Sequence, residues 1–261
     1  MQSILEVSYS LNDDKIFKDY SVWLLKLMIY LMPDLEVARI KEQMIMHYEL
    51  LEETLKETLD SKTFRSVKPF LDKAIDLTRT YELEERKSLV KSGKYAHIKE
   101  TYFRYLKEKK AKKAVAYIKE ISKGDIPLED LYVDVLEAVM REIGELWQER
   151  AIGVDEEHYM TSITQMAMSQ FYEIIFSSES NGKTALICSV GSELHEMGGR
   201  MVSDILALHG WETTYLGAAV PKQAVLDYLE IHRPDAIMLS VTMPHHLLEC
   251  REIVDSVKAL A

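Results

Sequence analysis

One histidine in a polar loop is the first residue with an evident chemical use. His195 and Glu193 lie in the segment 193–198, which reads Glu-Leu-His-Glu-Met-Gly and follows an apolar run typical of a buried strand. Ligands in open α/β sheets bind beyond the carboxyl ends of the strands, so a histidine here can reach the ligand crevice. Glu193 can accept a hydrogen bond from one ring nitrogen, which makes the other nitrogen a better metal ligand. The alternative is a solvated loop in which the histidine has no function.

Two glycines follow this histidine. Gly198 and Gly199 let the next helix begin close to a bulky ligand, because glycine has no Cβ. Together with Gly191 they lack the G-x-G-x-x-G spacing of dinucleotide-binding loops, and the segment is not a Walker phosphate loop either. The pattern therefore excludes these two common nucleotide-binding loops.

A second group of candidates lies around the start of a Met-rich helical pattern over 156–176. Glu157 and His158 lie in its first turn, where the helix dipole disfavours a protonated imidazole and keeps His158 available to a metal. Trp147 ends the preceding helical pattern and can bring an aromatic plane to the same pocket. The alternatives are a core tryptophan and a glutamate that only complements the helix dipole. A third group, Ser240 and Thr242, ends an apolar strand and can line a ligand slot, although β-propensity alone also explains it.

These residues are positioned by different kinds of predicted structure. The apolar spacing in residues 1–92 predicts an all-helical module, and this segment has no chemical motif. The spacing in residues 93–180 predicts a four-helix bundle in which Asp155 caps the last helix. Residues 181–261 alternate strand and helix patterns, which indicates a doubly wound parallel sheet. The fold class is therefore α plus α/β, with a flavodoxin-like or Rossmann-like sheet. Strands over 184–190, 212–219 and 235–242 predict the order 2-1-3, which leaves the third strand at an open edge.

Composition excludes several classes of protein. The chain of 261 residues has a net charge of -11, so direct nucleic-acid binding is not expected, and the cluster of cations over 104–113 is interpreted as a solvated helix face. Two cysteines cannot form a disulfide framework or a cysteine zinc site, which favours a cytoplasmic location. No apolar run is long enough for a membrane span.

The combined motifs resemble the cobalamin-binding module of methionine synthase, corrinoid methyl carriers and cobalamin-dependent light-sensing regulators. The family motif is Asp-x-His-x-x-Gly, often with Glu in place of Asp, and Glu193, His195 and Gly198 match it. The resemblance implies that His195 replaces the dimethylbenzimidazole base as the lower axial ligand of cobalt, with Glu193 as its hydrogen-bonding partner. Ser240 and Thr242 match the positions that flank the buried nucleotide tail.

The spacing Trp-x9-Glu-His resembles the helical cap of the light-sensing subfamily more specifically. The resemblance implies that Trp147 packs over the upper, adenosyl face and that Glu157 contacts the adenosyl group. It also implies that His158 can become a second axial ligand after light breaks the cobalt–carbon bond. The implied cofactor is cobalamin, with adenosylcobalamin ahead of methylcobalamin and hydroxocobalamin.

Two features depart from this family. The family domain has five strands and a Gly-Gly motif that contacts the nucleotide tail, whereas this sequence has three strand patterns and no such motif, so we expect a sheet without its last strands. Residues 1–90 also lack the helix-turn-helix signature of the light-sensing repressors.

The sequence therefore predicts a cobalamin-binding sensor, specifically a photoreceptor and not an enzyme. We expect it to signal to a protein partner through its N-terminal helices. The sequence leaves open whether the protein forms a homo-oligomer. The alternative is a corrinoid protein that carries a methyl group in a methyltransferase system. A third alternative is a domain whose ligand has changed to another tetrapyrrole.

Overall fold

The computed structural model describes residues 1–260 and divides into two compact units. The first unit comprises Met1–Arg86 and Gln148–Ala151, and the second comprises Lys87–Trp147 and the chain from Ile152 onward. The predicted boundaries after residues 92 and 180 stay predictions.

The first unit is helical, as predicted. Its helices are α1 (Gln2–Leu11), α2 (Asp14–Leu31), α3 (Val37–Thr58) and α4 (Ser61–Thr80). The side chain of Asp60 accepts hydrogen bonds from the backbone of Lys62 and Thr63 and so fixes the start of α4. The apolar stripes of these helices close a core of their own, which includes Phe17, Leu25, Ile40, Tyr48 and Leu71.

The second unit begins with a helical bundle, here the elements α5 to α10. It contains α5 (Ala96–Lys107), α6 (Ala111–Ile121), α7 (Leu128–Asp130), a π-helical segment (Leu131–Glu137), α8 (Ala138–Gln148), α9 (Val154–Met168), a 3-10 turn (Ser169–Phe171) and α10 (Tyr172–Ile175). The π-helical segment joins α7 to α8 without a break, and its apolar side chains lie in the bundle core.

The start of α9 differs from the sequence-based expectation. Gly153, not Asp155, is the N-cap residue, and its backbone N–H donates to the carboxylate of Glu156 at 3.1 Å. Gly153 takes the extended conformation that an N-cap requires, so the helix begins at Val154 and Asp155 lies inside its first turn.

The remainder of the second unit is the sheet domain, here residues 184–260. Its parallel strands are β1 (Thr184–Ser189), β2 (Glu212–Tyr215) and β3 (Ala236–Ser240), in the order β2-β1-β3. Helix α11 (Met197–Leu208) covers one face of the sheet. Helices α12 (Lys222–His232) and α13 (Leu247–Leu260) cover the other face, where Leu186 and Cys188 pack against Val225 and Ile253.

This architecture confirms the predicted fold class and strand order. The second strand is shorter than predicted, because Gly217 and Ala219 both have positive φ and break the extended chain after Tyr215. The residues of β3 are all half-buried, as expected of an edge strand. No helix of the described chain is long and apolar enough to cross a membrane.

Candidate functional site

The site is built on a buried carboxylate at the carboxyl end of β1. Only 1% of Glu193 is exposed. Its Oε1 accepts hydrogen bonds from the backbone N–H of His195 at 3.1 Å and from the ring Nδ1 of His195 at 2.5 Å. Its Oε2 accepts from the backbone N–H groups of Thr242 and Met243 at 2.9 and 2.7 Å. One side chain thus holds together the loops that follow β1 and β3.

This carboxylate stays ionised despite its burial. Desolvation by itself raises the pKa of Glu193, but the N–H donors of Met243, His195 and Thr242 outweigh it and lower the pKa from 4.5 to about 2. An ionised Glu193 can only accept hydrogen bonds, so the Nδ1 of His195 carries the proton.

In the neutral ring of His195, the opposite nitrogen, Nε2, therefore carries the lone pair that can bind a metal. The side chain is 59% exposed, and its Nε2 has no hydrogen-bond partner in the described part of the chain. An exposed imidazole whose other nitrogen is fixed by a carboxylate is the usual arrangement of a metal-binding histidine. A single histidine supplies one ligand, which suits a metal whose other positions are filled by a macrocycle.

The backbone around His195 is also held in place. The Ser189 hydroxyl donates to the carbonyl oxygen of His195 at 3.3 Å, and the Tyr215 hydroxyl donates to the carbonyl oxygen of Glu196 at 2.8 Å. The sequence analysis did not identify either residue, because a serine and a tyrosine within strands look like ordinary strand residues.

The two glycines after His195 differ in their surroundings. A Cβ added to Gly199 would lie at ordinary contact distances of 3.6 Å from Ile187 and Tyr215. A Cβ added to exposed Gly198 would meet no atom within 4 Å, and its φ is not in the left-handed region. The protein itself therefore does not require glycine at 198, and the open space three residues from His195 fits a bulky cofactor.

The predicted third group contributes through its backbone. Thr242 donates its N–H to Glu193, and the carbonyl oxygen of Ser240 accepts from the N–H of Val190 at 3.2 Å. Met243, which makes the same backbone contact as Thr242, was not predicted, because a backbone donor leaves no signal in the side-chain pattern.

The second predicted group forms a separate cluster on the bundle. The Oε2 of Glu157 is hydrogen-bonded to the Nδ1 of its neighbour His158, and its Oε1 accepts from the Thr161 hydroxyl at 2.8 Å. The His158 side chain is 75% exposed, and Trp147 at the end of α8 is 38% exposed. No hydrogen bond or ring contact within the described residues joins Trp147 to either of them or joins this cluster to His195.

Two family models match this chain. Residues 98–172, within the helical bundle, match a B12 binding domain, and residues 183–261, the sheet domain, match a second B12 binding domain. No curated protein matches the sequence.

Solved structures of other proteins are similar to it, among them the following three. The monomethylamine corrinoid protein of Methanosarcina barkeri has 16% identity and a TM-score of 0.56, over 62% of this chain and 78% of that chain. The methanol:cobalamin methyltransferase complex of the same organism has 17% identity and a TM-score of 0.37, over 80% and 76%. A cobalamin-binding protein of Desulfitobacterium hafniense DCB-2 has 20% identity and a TM-score of 0.33, over 61% and 76%.

The first of these structures confirms the fold, a parallel sheet domain preceded by a helical bundle. The matches to two domain families add the cofactor class that the motifs predicted. The chain is therefore a cobalamin-binding protein, with one B12-binding domain in its helical bundle and another in its sheet domain.

Proposed function

We propose that the chain is the corrinoid-carrying protein of a methyl-transfer system, with His195 as the lower axial ligand of cobalt. The observation that carries this proposal is the buried, ionised Glu193, which fixes the tautomer of an exposed histidine. A bound corrinoid supplies a cobalt atom that accepts and releases a methyl group. His195 would hold that cobalt atom, and in this proposal the partner protein would catalyse the methyl transfer.

Each residue near His195 has a role in this proposal. Glu193 orients the imidazole and holds the proton of the neutral ring on Nδ1, so that Nε2 is the nitrogen available as a ligand. Gly198 leaves room for the macrocycle beside the start of α11. Ser240 and Thr242, at and just after the end of β3, would flank the nucleotide tail of the cofactor.

The carrier role is supported by the fold shared with the monomethylamine corrinoid protein. A carrier must present the upper face of its cofactor to other proteins, and the expected partner is a methyltransferase.

Light sensing is the second candidate, and the cluster on the bundle favours it. Glu157 holds the Nδ1 of exposed His158, so the Nε2 of this ring is also presented as a ligand. In this alternative adenosylcobalamin is the cofactor, Trp147 covers its upper face, and His158 binds cobalt after photolysis. The carrier role has more support than light sensing, because the solved structure whose fold this chain shares is that of a corrinoid protein.

An absorption spectrum tests both candidates. The protein is incubated in the dark with methylcobalamin or adenosylcobalamin, freed of excess ligand and scanned before and after green light. We expect bound corrin in the wild type and an altered spectrum with at least tenfold weaker retention in His195→Ala. His97→Ala, which removes an exposed histidine of the bundle, is the matched control.

The outcomes separate the candidates. A His195→Ala spectrum identical to that of the wild type would show that this histidine is not the ligand. A lasting light-driven change that disappears in His158→Ala would favour the sensor. Bound corrin without such a change, in a protein that accepts a methyl group from methyl iodide after reduction, would support the carrier.

A further inference from the structure

The turn between α5 and α6 carries a dense cluster of positive charge. Residues 104–113, here called the cationic turn, contain six cations and one acidic residue, Glu108, in a chain whose net charge is -11. Glu108 pairs with Lys110 at 2.6 Å. The cations are all exposed, and they are Arg104, Lys107, Lys109, Lys110, Lys112 and Lys113. The turn therefore presents a strongly positive surface on a protein that is negative as a whole.

Three of these lysines lie where a cation weakens a helix. Lys110 is the N-cap residue of α6, and Lys112 and Lys113 follow in its first turn, which has no acidic residue and no side-chain cap. The N-terminus of a helix carries a partial positive charge, so these lysines are repelled by the helix as well as by each other. Carboxylates from another protein would relieve both repulsions, which favours an acidic partner over a cluster that is only solvated.

Aromatic rings lie beside these cations. Tyr105 and Tyr117 are half-buried, and their rings meet edge to face with centroids 5.9 Å apart. The guanidinium group of Arg104 lies 5.3 Å from the ring centroid of Tyr105. The cationic turn thus combines positive charge with partly exposed aromatic surface, which suits a partner that offers both carboxylates and apolar side chains.

Helix α3, in the first unit, offers both on its exposed side. Met46 and Leu50 lie one helical turn apart, and each is 54% exposed. Glu52, on another side of the helix, pairs with Lys68, whereas the glutamates around the two apolar residues form no ion pair within the described residues. These exposed glutamates are Glu42, Glu49, Glu53 and Glu57. Together with Met46 and Leu50 they are here called the acidic face.

We propose that the cationic turn of one copy of the chain binds the acidic face of a second copy, so that the protein forms a two-fold dimer. The two surfaces are opposite in charge, and both are exposed in the single chain. Under two-fold symmetry each copy supplies both surfaces, so two identical contacts form together. Met46 and Leu50 pack near Tyr105 and Tyr117, and the glutamates pair with the surrounding lysines.

The size of the acidic face sets the strength of this dimer. Its residues span 42–57, about 23 Å of helix, and the face is roughly 10 Å wide. Two such contacts bury about 1,000 Å² of total surface, near the lower limit for a specific interface, so the dimer is weak and reversible. Nucleic acid is a poorer occupant of the cationic turn, because the net charge of -11 repels it and it would leave the acidic face uncovered.

Charge reversal in the full chain tests the proposal by light scattering at low salt. We expect the wild type to have the mass of two chains. Glu49→Lys with Glu53→Lys reverses the acidic face, and Lys109→Glu with Lys112→Glu reverses the cationic turn. Each double variant alone should dimerise at least tenfold more weakly. An equal mixture of the two should regain the dimer, because the reversed face of one copy then meets the reversed turn of the other.

A matched control separates this contact from a general charge effect. Lys91→Glu with Glu230→Lys exchanges two exposed charges outside both surfaces and should leave the dimer unchanged. Raising the salt concentration should weaken the wild-type dimer, since screening reduces the attraction between exposed charges.

Three outcomes would overturn the proposal. The first is a monomeric wild type at low salt, and the second is a dimer that neither reversal weakens. The third is a mixture of the two double variants that stays monomeric, which would show that the two surfaces do not meet. If the monomeric wild type bound a fluorescent DNA duplex, and Lys109→Glu with Lys112→Glu abolished that binding, the cationic turn would instead be a nucleic-acid site.

Discussion

The carboxylate of Glu193 faces the ring of His195 at 2.5 Å, and the two side chains differ sharply in exposure. The glutamate side chain has no exposed surface, whereas 59% of the histidine side chain is accessible. The buried partner is fixed by backbone donors from the loop after β3, and the ring of the exposed partner is hydrogen-bonded to the buried one. The histidine ring therefore takes its orientation from a carboxylate that is anchored in the sheet domain, and most of the ring stays exposed.

Replacement of Glu193 should cost more stability than replacement of any exposed glutamate of the sheet domain. Glu193→Ala leaves the half-buried N–H groups of Thr242 and Met243 without their acceptor, so the free energy of unfolding should fall by about 2–4 kcal/mol. Urea unfolding followed by tryptophan fluorescence measures this change. Glu230→Ala, on the exposed side of α12, should change stability by less than about 0.5 kcal/mol. Equal effects of the two variants would show that the Glu193 contacts do not stabilise the fold.

Gly198→Ala should have opposite effects on stability and on cofactor binding. The added methyl group meets no protein atom, and alanine favours the first turn of α11, so the cofactor-free protein should gain up to about 1 kcal/mol. The same methyl group occupies the space assigned to the macrocycle, so retention of cobalamin should weaken. Thermal unfolding of the cofactor-free protein and equilibrium binding of hydroxocobalamin measure the two effects.

Gly191→Ala is the comparison for this experiment. Gly191 has φ +64°, and a Cβ there would overlap the carboxylate of Glu249 and lie 3.0 Å from the Nδ1 of His246. The variant should therefore lose stability even without cofactor, by about 1–3 kcal/mol. If Gly198→Ala bound cobalamin as well as the wild type, the cofactor would not approach this glycine.

The sequence was sufficient to predict the alternation of strands and helices, the strand order and the Glu193–His195 pair. These features depend on hydrophobic periodicity and on short spacing within one loop, which a single sequence displays directly. It was not sufficient to predict Met243 or Tyr215, since their contributions are a backbone N–H and a hydroxyl that reach the loop only after folding. The ends of α9 and β2 were also misplaced, because Gly153, Gly217 and Ala219 set them through local backbone angles.

Tyr132→Phe should weaken docking of the bundle on α11. The variant removes one hydroxyl and leaves buried Asp204 without its donor, so the free energy of unfolding should fall by about 1–3 kcal/mol. Tyr159→Phe, which removes a hydroxyl from a half-buried tyrosine on α9, is the matched control and should have little effect. Urea unfolding at neutral pH distinguishes them, and equal midpoints would mean that the Asp204 contact adds nothing.

The pH dependence of stability should report the burial of Asp204. Desolvation raises the pKa of this carboxyl above its usual 3.8, although the Tyr132 hydroxyl, Arg200 and Tyr172 favour its ionised form. Because the folded-state pKa is the higher one, the stabilising contribution is complete below pH 3.8 and is lost as the pH rises through the folded-state value.

Asp204→Asn isolates this contribution, since asparagine can still accept the hydrogen bond from Tyr132 but does not titrate. The stability of the variant relative to the wild type should therefore increase between pH 4 and pH 7, and urea midpoints at several pH values measure it. A difference that stays constant over this range would show that Asp204 titrates alike in the folded and unfolded chains. Asp204 would then behave as an ordinary, well-solvated carboxylate, and the desolvation cost assigned to its burial would be wrong.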